Sequence, residues 1–361
     1  MAGIDLNMPA MEPPPGAVQN LDNPPNHNGA VIAVYTVSIA IATIFVVLRL
    51  YAKFVLLKSP RIEDYLLIPT FGVYIAHCVF WLQMIHTTGQ FVHMWDFRIG
   101  GLAPFYRNGF YGTILYEAVM LAIKPLILLE WIHIFASAGP RNYFIWTCYA
   151  VMAVNVLMYI ISILIDSVSC TPRAYWWDQT IPGGHCTNTK DLPTVTGTLN
   201  AVIDLFILLL PQGIIWRLQL TTRKKIGVSV VFLVGSISVM SAIARTAISF
   251  LYADSDDVTY NFSLAGIFCL IEMTAAIIVF AAPTIPKPMV HLAAKAGSSF
   301  DRLVRSSRGG GTFANGSGDR SKANVYEHLD EHGNSLSLMK LRSSKSKRSL
   351  PSGKNSIESV V

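Results

Sequence analysis

Long apolar runs broken by short polar links set the pattern of this chain. Residues 30–50 (AVIAVYTVSIAIATIFVVLRL) carry no charge before Arg49 and are long enough to cross the ~30 Å hydrocarbon core of a bilayer as a helix. Six further runs follow, at about 65–87, 110–136, 143–166, 194–216, 226–252 and 262–282. The pattern predicts an all-α membrane protein, a seven-transmembrane helix bundle over residues 30–285. The third run is the most polar, with Glu117, Lys124, Glu130 and His133, and residues 137–142 make a tight turn after it.

Composition supports this division. The chain is 52% apolar and only 14% charged, against roughly 25% charged in soluble domains. Residues 1–29 are rich in Pro and Asn and have neither a basic start nor an apolar stretch. They are expected to be a disordered extracellular segment and not a cleaved signal peptide. Residues 286–361 form a basic, Ser/Gly-rich tail. In its first part Met289, Leu292, Phe300, Leu303 and Val304 suit an amphipathic helix on the inner leaflet. Ser306, Ser307, Ser343, Ser344, Ser346 and Ser349 lie in basic surroundings, either as kinase targets or as solvating residues.

Charge also orients the spans. Arg49, Lys53, Lys58 and Arg61 follow the first run, Arg217, Arg223, Lys224 and Lys225 follow the fifth, and the tail holds thirteen Lys and Arg. The link after the fourth run has balanced charge, and that after the sixth is acidic. The positive-inside rule therefore predicts the N-terminus outside and the C-terminus cytosolic. The membrane is the plasma membrane or the endoplasmic reticulum. Residues 221–225 and the tail are read as facing a cytosolic signalling partner and the lipid surface, with no nucleic acid.

A charge near mid-bilayer costs about 2.5–3.5 kcal/mol on insertion scales, so each one there is paired or functional. Glu117, Lys124, Glu130, Asp204, Arg245 and Glu272 qualify, and Asp166 stands near the outer end of the fourth span. Counted at mid-span, four acids face two bases. Glu117 and Lys124 lie on one face but ~10 Å apart along the helix, so Lys124 needs Asp204 or Glu272, and Arg245 needs Glu272 or Glu117. Two readings stand: interhelical ion pairs that only hold the bundle, or a polar central cavity that shuttles a proton or binds a small lipophilic ligand, with Glu117, Lys124, Asp204, Arg245 and Glu272 as the ligand or switch network. His77, inside the second span, reads as hydrogen-bonded structure.

Of five cysteines, Cys78, Cys148 and Cys269 sit in apolar runs as small hydrophobes. Cys170 and Cys186 fall on the oxidising side of the predicted topology, at a spacing suited to a disulfide, with two free thiols as the alternative. A bridge would fold Tyr175, Trp176 and Trp177 over the bundle mouth, and the same aromatics would equally serve as interfacial anchors. No Walker A, GxSxG, HExxH or CxxC motif occurs, and no metal site or cofactor is expected. The seventh span has no lysine, which excludes a retinal Schiff base there. Asn261-Phe-Ser is a glycosylation sequon beside the membrane.

Several stretches form a set that resembles the fungal rhodopsin-domain family of integral membrane proteins, typified by the satratoxin-cluster membrane protein and related to fungal surface-sensing receptors. They are LRLYAKF with RIEDYLL; Gly89 and His93; the C-x-P-x3-W-W-D-x4-P-G-G-x-C loop; Asn200, Asp204, LLP and W-x-L-Q-L; KKIG; Ala244-Arg245; and Glu272 with the terminal APT. The third span departs from the family pattern, because Pro125 follows Lys124 and Glu130 interrupts an aromatic stretch. The resemblance implies a seven-span bundle frequently encoded with secondary-metabolite genes.

The expected function is therefore a receptor-like membrane protein linked to a secondary-metabolite cluster or to surface and ligand sensing. The alternatives are a membrane-embedded isomerase or cyclase acting on a lipophilic intermediate, with Glu130, Asp204 or Glu272 as general acid, and then a transporter.

Overall fold

A computed structural model describes residues 5–87, 89–135, 141–188, 191–212, 222–253 and 257–285. Each of the seven apolar runs is one helix, long and apolar enough to cross a membrane. The helices are α1 (Asn28–Leu50, continued by a π-helical turn Tyr51–Leu56), α2 (Ile62–Thr87), α3 (Ile99–Phe135), α4 (Arg141–Val168), α5 (Leu192–Leu209), α6 (Thr222–Ala253) and α7 (Val258–Ala281). A two-stranded antiparallel pair, β1 (Cys170–Thr171) and β2 (His185–Cys186), closes the link between α4 and α5.

Two helix ends differ from the hydropathy pattern. α3 starts at Ile99 and not near 110, because its first turns are helical without being apolar; they pack on neighbouring protein. α5 closes at Leu209, just ahead of Pro211, whose ring removes a helical hydrogen bond. α3 itself runs unbroken through Pro104 and Pro125.

The bundle wraps around α3 and α7. α3 packs on α2, α4 and α7, α6 joins α5 to α7, and α1 lies against α7 and α2. Outward positions are apolar, such as Ile44 and Val47 on α1, Leu157 and Ile161 on α4, and Leu233 and Met240 on α6. The mid-span charges Glu117, Lys124, Glu130, Asp204, Arg245 and Glu272 are buried inside the bundle instead. This inversion is what a hydrocarbon solvent requires, since lipid stabilises exposed Leu and Ile but not carboxylates.

Residues 5–27, expected to be disordered, follow a defined path across the end of the bundle formed by the 93–100 segment. The Ala10 amide donates to Phe97 O at 2.8 Å, those of Ile99 and Gly100 donate to Met8 O and Leu6 O, and the Asn20 amide donates to Asp96 Oδ1 at 2.7 Å. Backbone pairing and polar side chains hold the strap, and neither leaves a hydrophobic signature in sequence. Beneath it, His93 stacks between Trp95 and Tyr260 at 4.2 and 4.6 Å and bonds Asp257 Oδ2 at 2.6 Å.

Close approach at this end relies on glycine. A Cβ on Gly112 would lie 2.6 Å from Trp81 Nε1, and one on Gly266 would run into the ring of Trp81. Gly266→Leu is therefore expected to cost about 1–3 kcal/mol through overpacking. Thermal unfolding of the solubilised protein should show this as a lowered Tm. Gly72→Leu, at a site with nothing within 4 Å, is the control that should leave Tm in place.

Candidate functional site

Buried charge falls into two clusters. At the end where α1 meets the α1–α2 link, Arg49 is fully buried. Its Nε donates to Asp64 Oδ1 at 2.8 Å, Nη2 to Glu130 Oε2 at 2.7 Å and Nη1 to Phe280 O at 2.6 Å, while the guanidinium lies 3.7 Å over the Phe280 ring. Lys53 Nζ stands 3.9 Å from Glu130 Oε1, and His133 Nδ1 is 2.9 Å from Glu63 Oε1. This corrects the sequence picture twice. Arg49 and Lys53 belong to a buried hub and not to an exposed basic link, and Glu130 is their ion-pair partner and not a free acid.

The second cluster joins five helices near mid-bundle. Lys124 of α3 pairs with Asp204 Oδ1 of α5 at 2.7 Å and also donates to Asn200 Oδ1, with Glu272 Oε1 of α7 at 3.9 Å. Asn200 Nδ2 donates to Glu272 Oε1 at 2.6 Å, and Tyr159 OH of α4 donates to Asn200 Oδ1 at 2.5 Å. The other Glu272 oxygen accepts from Tyr116 OH at 3.0 Å and faces Arg245 Nε of α6 at 3.4 Å. Of the two partners that the charge count offered Lys124, Asp204 is the nearer. Glu117 is outside these pairs: Oε1 accepts from Ser162, and Oε2 is buried without a hydrogen-bond partner among the described residues.

A cavity of about 380 Å³ sits directly on this network. Tyr116, Glu117, Tyr159, Ser162 and Arg245 form its polar side, and Trp81, Phe110 and Phe262 form much of the apolar wall. Its cover comes from the link between α4 and α5. Cys170 and Cys186 are disulfide-bonded and lie opposite one another in the β1–β2 pair, which returns the intervening chain to the bundle. Trp176 packs on Phe110 with ring centroids 5.0 Å apart, Trp177 packs on the same ring at 5.8 Å, and Trp176 and Gln179 line the cavity. Among the described residues, no group of three or more His, Cys, Asp or Glu is placed to hold a metal ion.

The sequence that builds this site is similar to those of known proteins. The model of the fungal rhodopsin domain matches residues 48–291, more than half of the chain. The chain belongs to the fungal rhodopsin domain family. The matched stretch contains the Arg49 hub, the central network and the disulfide-bonded lid. A Gibberella zeae protein named Fugralins biosynthesis cluster protein 2 is 33% identical over 289 residues, covering 80% of this chain and 72% of that protein. A SAT4 family membrane protein of Emericella nidulans is 31% identical over 189 residues, 52% of this chain and 47% of that one. Receptor GIN3 of Arthrobotrys oligospora is 22% identical over 309 residues, 85% of this chain and 74% of that receptor. No solved structure matches.

Within this fungal rhodopsin domain, Lys124, Asp204, Arg245 and Glu272 converge, Glu117 lies beside them, and Glu130 lies with the Arg49 hub. Asn261 occupies the first turn of α7, where Nδ2 donates to Asp257 O at 3.0 Å and the residue lines the cavity; that is a poor setting for glycan transfer. Residue 221, the side chains of residues 222–225, and the tail from 286, with its serines and its amphipathic stretch, lie outside the described residues. Sequence reasoning did not assign Tyr116, Tyr159 and Ser162 to the site. Their hydroxyls sit in aromatic and aliphatic runs that read as core. Asn200 carried a usable signal, one helical turn before Asp204 on the same face.

Proposed function

We propose that this fungal rhodopsin-domain protein is a receptor-like membrane protein that binds a small, largely apolar ligand beneath the 170–186 lid. Occupancy passes to the opposite end of the bundle through the Lys124, Asp204, Arg245 and Glu272 network. One observation carries this reading: the cavity wall and the network share residues. Tyr116, Tyr159 and Arg245 line the cavity and also contact Glu272 or Asn200. A ligand that draws on Tyr116 or Arg245 competes with Glu272 for them, giving it different affinities for two arrangements of the five helices. That difference is the physical requirement for a switch.

In this proposal the strap and lid face the exoplasmic side of the plasma membrane or the endoplasmic reticulum, and the tail meets a cytosolic partner. The disulfide and the basic residues of the fifth link and tail support that orientation. The names of the relatives, a biosynthesis cluster protein, a SAT4 family membrane protein and a receptor, agree with a role tied to secondary metabolism or sensing. An isomerase or cyclase is less well supported, because Glu130, Asp204 and Glu272 each have a cationic partner.

Asp204→Asn keeps a hydrogen-bond acceptor for Lys124 and leaves Glu272 nearby. The variant is expected to accumulate as folded membrane protein while reproducing the phenotype of gene deletion in the source fungus. A strain that expresses it and behaves as wild type removes the network from the mechanism.

A further inference from the structure

Charge and hydrogen-bonding capacity around the cavity are unbalanced in one direction. On and beneath its wall stand four carboxylates, Glu117, Asp166, Asp204 and Glu272, against Lys124 and Arg245. Both cations are committed, Lys124 to Asp204 at 2.7 Å and Arg245 to Glu272 at 3.4 Å. Among the described residues no cation forms an ion pair with Glu117 or Asp166. Ser162, which holds one oxygen of Glu117, lies one turn from Asp166 on the same helix, so both carboxylates address the same part of the cavity. The second oxygen of Glu117 is buried and unpartnered.

His77 adds an independent acceptor. Its Nδ1 lies 2.8 Å from Gly112 O. A carbonyl oxygen only accepts, so Nδ1 carries the proton and Nε2 of the neutral ring has a free lone pair. That Nε2 is buried without a partner, and His77 lines the cavity. Gly112 precedes Glu117 by five residues, about 7.5 Å along α3. Trp81 Nε1 is a donor, also buried and unpartnered, and its ring stacks on Phe262 with centroids 5.3 Å apart. The wall thus offers acceptors, two carboxyl groups without an ion-pair partner among the described residues, and aromatic faces, a combination that suits a cation with N–H groups and an apolar body. A metal ion is poorly served by so few ligating groups among the described residues.

We propose that the cavity takes an organic cation, a protonated amine on a compact apolar or aromatic body. Glu117, Asp166 and His77 Nε2 accept from its ammonium group, and Trp81, Phe262 and Trp176 enclose the body. This assignment rests on the reading of the cavity as a ligand site.

Three probes with one body and different charge test it: tryptamine, neutral 3-propylindole and anionic indole-3-propionate. Each is titrated calorimetrically into the full-length protein in lipid nanodiscs near neutral pH. Tryptamine is expected to bind about tenfold or more tightly than 3-propylindole, with no binding of indole-3-propionate. Glu117→Gln, which retains an acceptor for Ser162, should weaken tryptamine about tenfold and leave 3-propylindole unchanged. Asp166→Asn, at a half-buried position, provides the same comparison should Glu117→Gln fail to fold. Equal affinity for tryptamine and 3-propylindole, or tighter binding of the acid, overturns the cation assignment while leaving the cavity a ligand site. Absence of heat with all three probes overturns it as well; the receptor reading then stands or falls on the Asp204→Asn phenotype.

Discussion

Arg49→Ala is expected to prevent accumulation of folded protein. Three donors of one guanidinium bind Asp64, Glu130 and the Phe280 carbonyl, tying α1 to α2, α3 and α7 in a site with no exposure. Removing the cation leaves Asp64 without an ion-pair partner among the described residues and Glu130 with only Lys53 at 3.9 Å, a loss of about 3–5 kcal/mol for a broken buried pair. That is a large part of the ~5–15 kcal/mol by which ordinary domains are stable. Arg49→Lys should do little better, since a single ammonium cannot reproduce the planar fork. Neutralising the acids together with the cation, as Arg49→Met with Asp64→Asn and Glu130→Gln, should recover much of the loss. Fluorescence-detected size-exclusion chromatography and thermal unfolding of a tagged protein report on all three variants. An Arg49→Ala protein with wild-type yield and Tm would remove the hub from the energetics of the fold.

Lys124→Met should be comparably destabilising for the same reason at a different place. The substitution keeps volume and removes the charge that faces Asp204 at 2.7 Å and Glu272 at 3.9 Å. Asp204 Oδ2 already lacks a hydrogen-bond partner, so Lys124 carries most of the compensation for that carboxylate. The expected loss is about 3–5 kcal/mol, and adding Asp204→Leu should return a substantial part of it. A double-mutant cycle between Lys124 and Asp204 should show a coupling of about 0.5–3 kcal/mol. The cycle between Lys124 and Glu117, which share no hydrogen-bond partner, should be additive within about 0.5 kcal/mol. Additive behaviour of Lys124 with Asp204 would mean that the ion pair does not contribute as its geometry indicates.

The depth of the two clusters explains what could be read in advance. Lys124, Asp204, Arg245 and Glu272 stand inside uninterrupted apolar runs, where any charge is conspicuous, and spacing alone rules out a direct Glu117–Lys124 bond. Their pairing follows from depth, and the structure places Lys124 on Asp204 and Arg245 on Glu272. Arg49 and Lys53 fall at the end of a run, where hydropathy cannot separate a loop cation from a buried one. Their assignment to a basic link also put Glu130 on the wrong side of the count, as a mid-span acid without a base. With Arg49 restored to the interior, the span acids without an ion pair among the described residues reduce to Glu117 and Asp166 at the cavity.

Sequence by itself determined the number and order of the spans, because an uninterrupted apolar run of about twenty residues crosses hydrocarbon as a helix that satisfies its own backbone. It also marked the cysteine spacing of the lid and the positions where charge enters the core. Only the tertiary structure decided which charges meet, that residues 5–27 lie against the 93–100 segment, and that Trp176 roofs a cavity floored by Tyr116 and Arg245. Those outcomes depend on helix rotation and on contacts between residues far apart in sequence, such as Arg49 with Phe280 and Tyr116 with Glu272. A one-dimensional pattern of polarity records how deep a residue sits, but not which neighbour it faces.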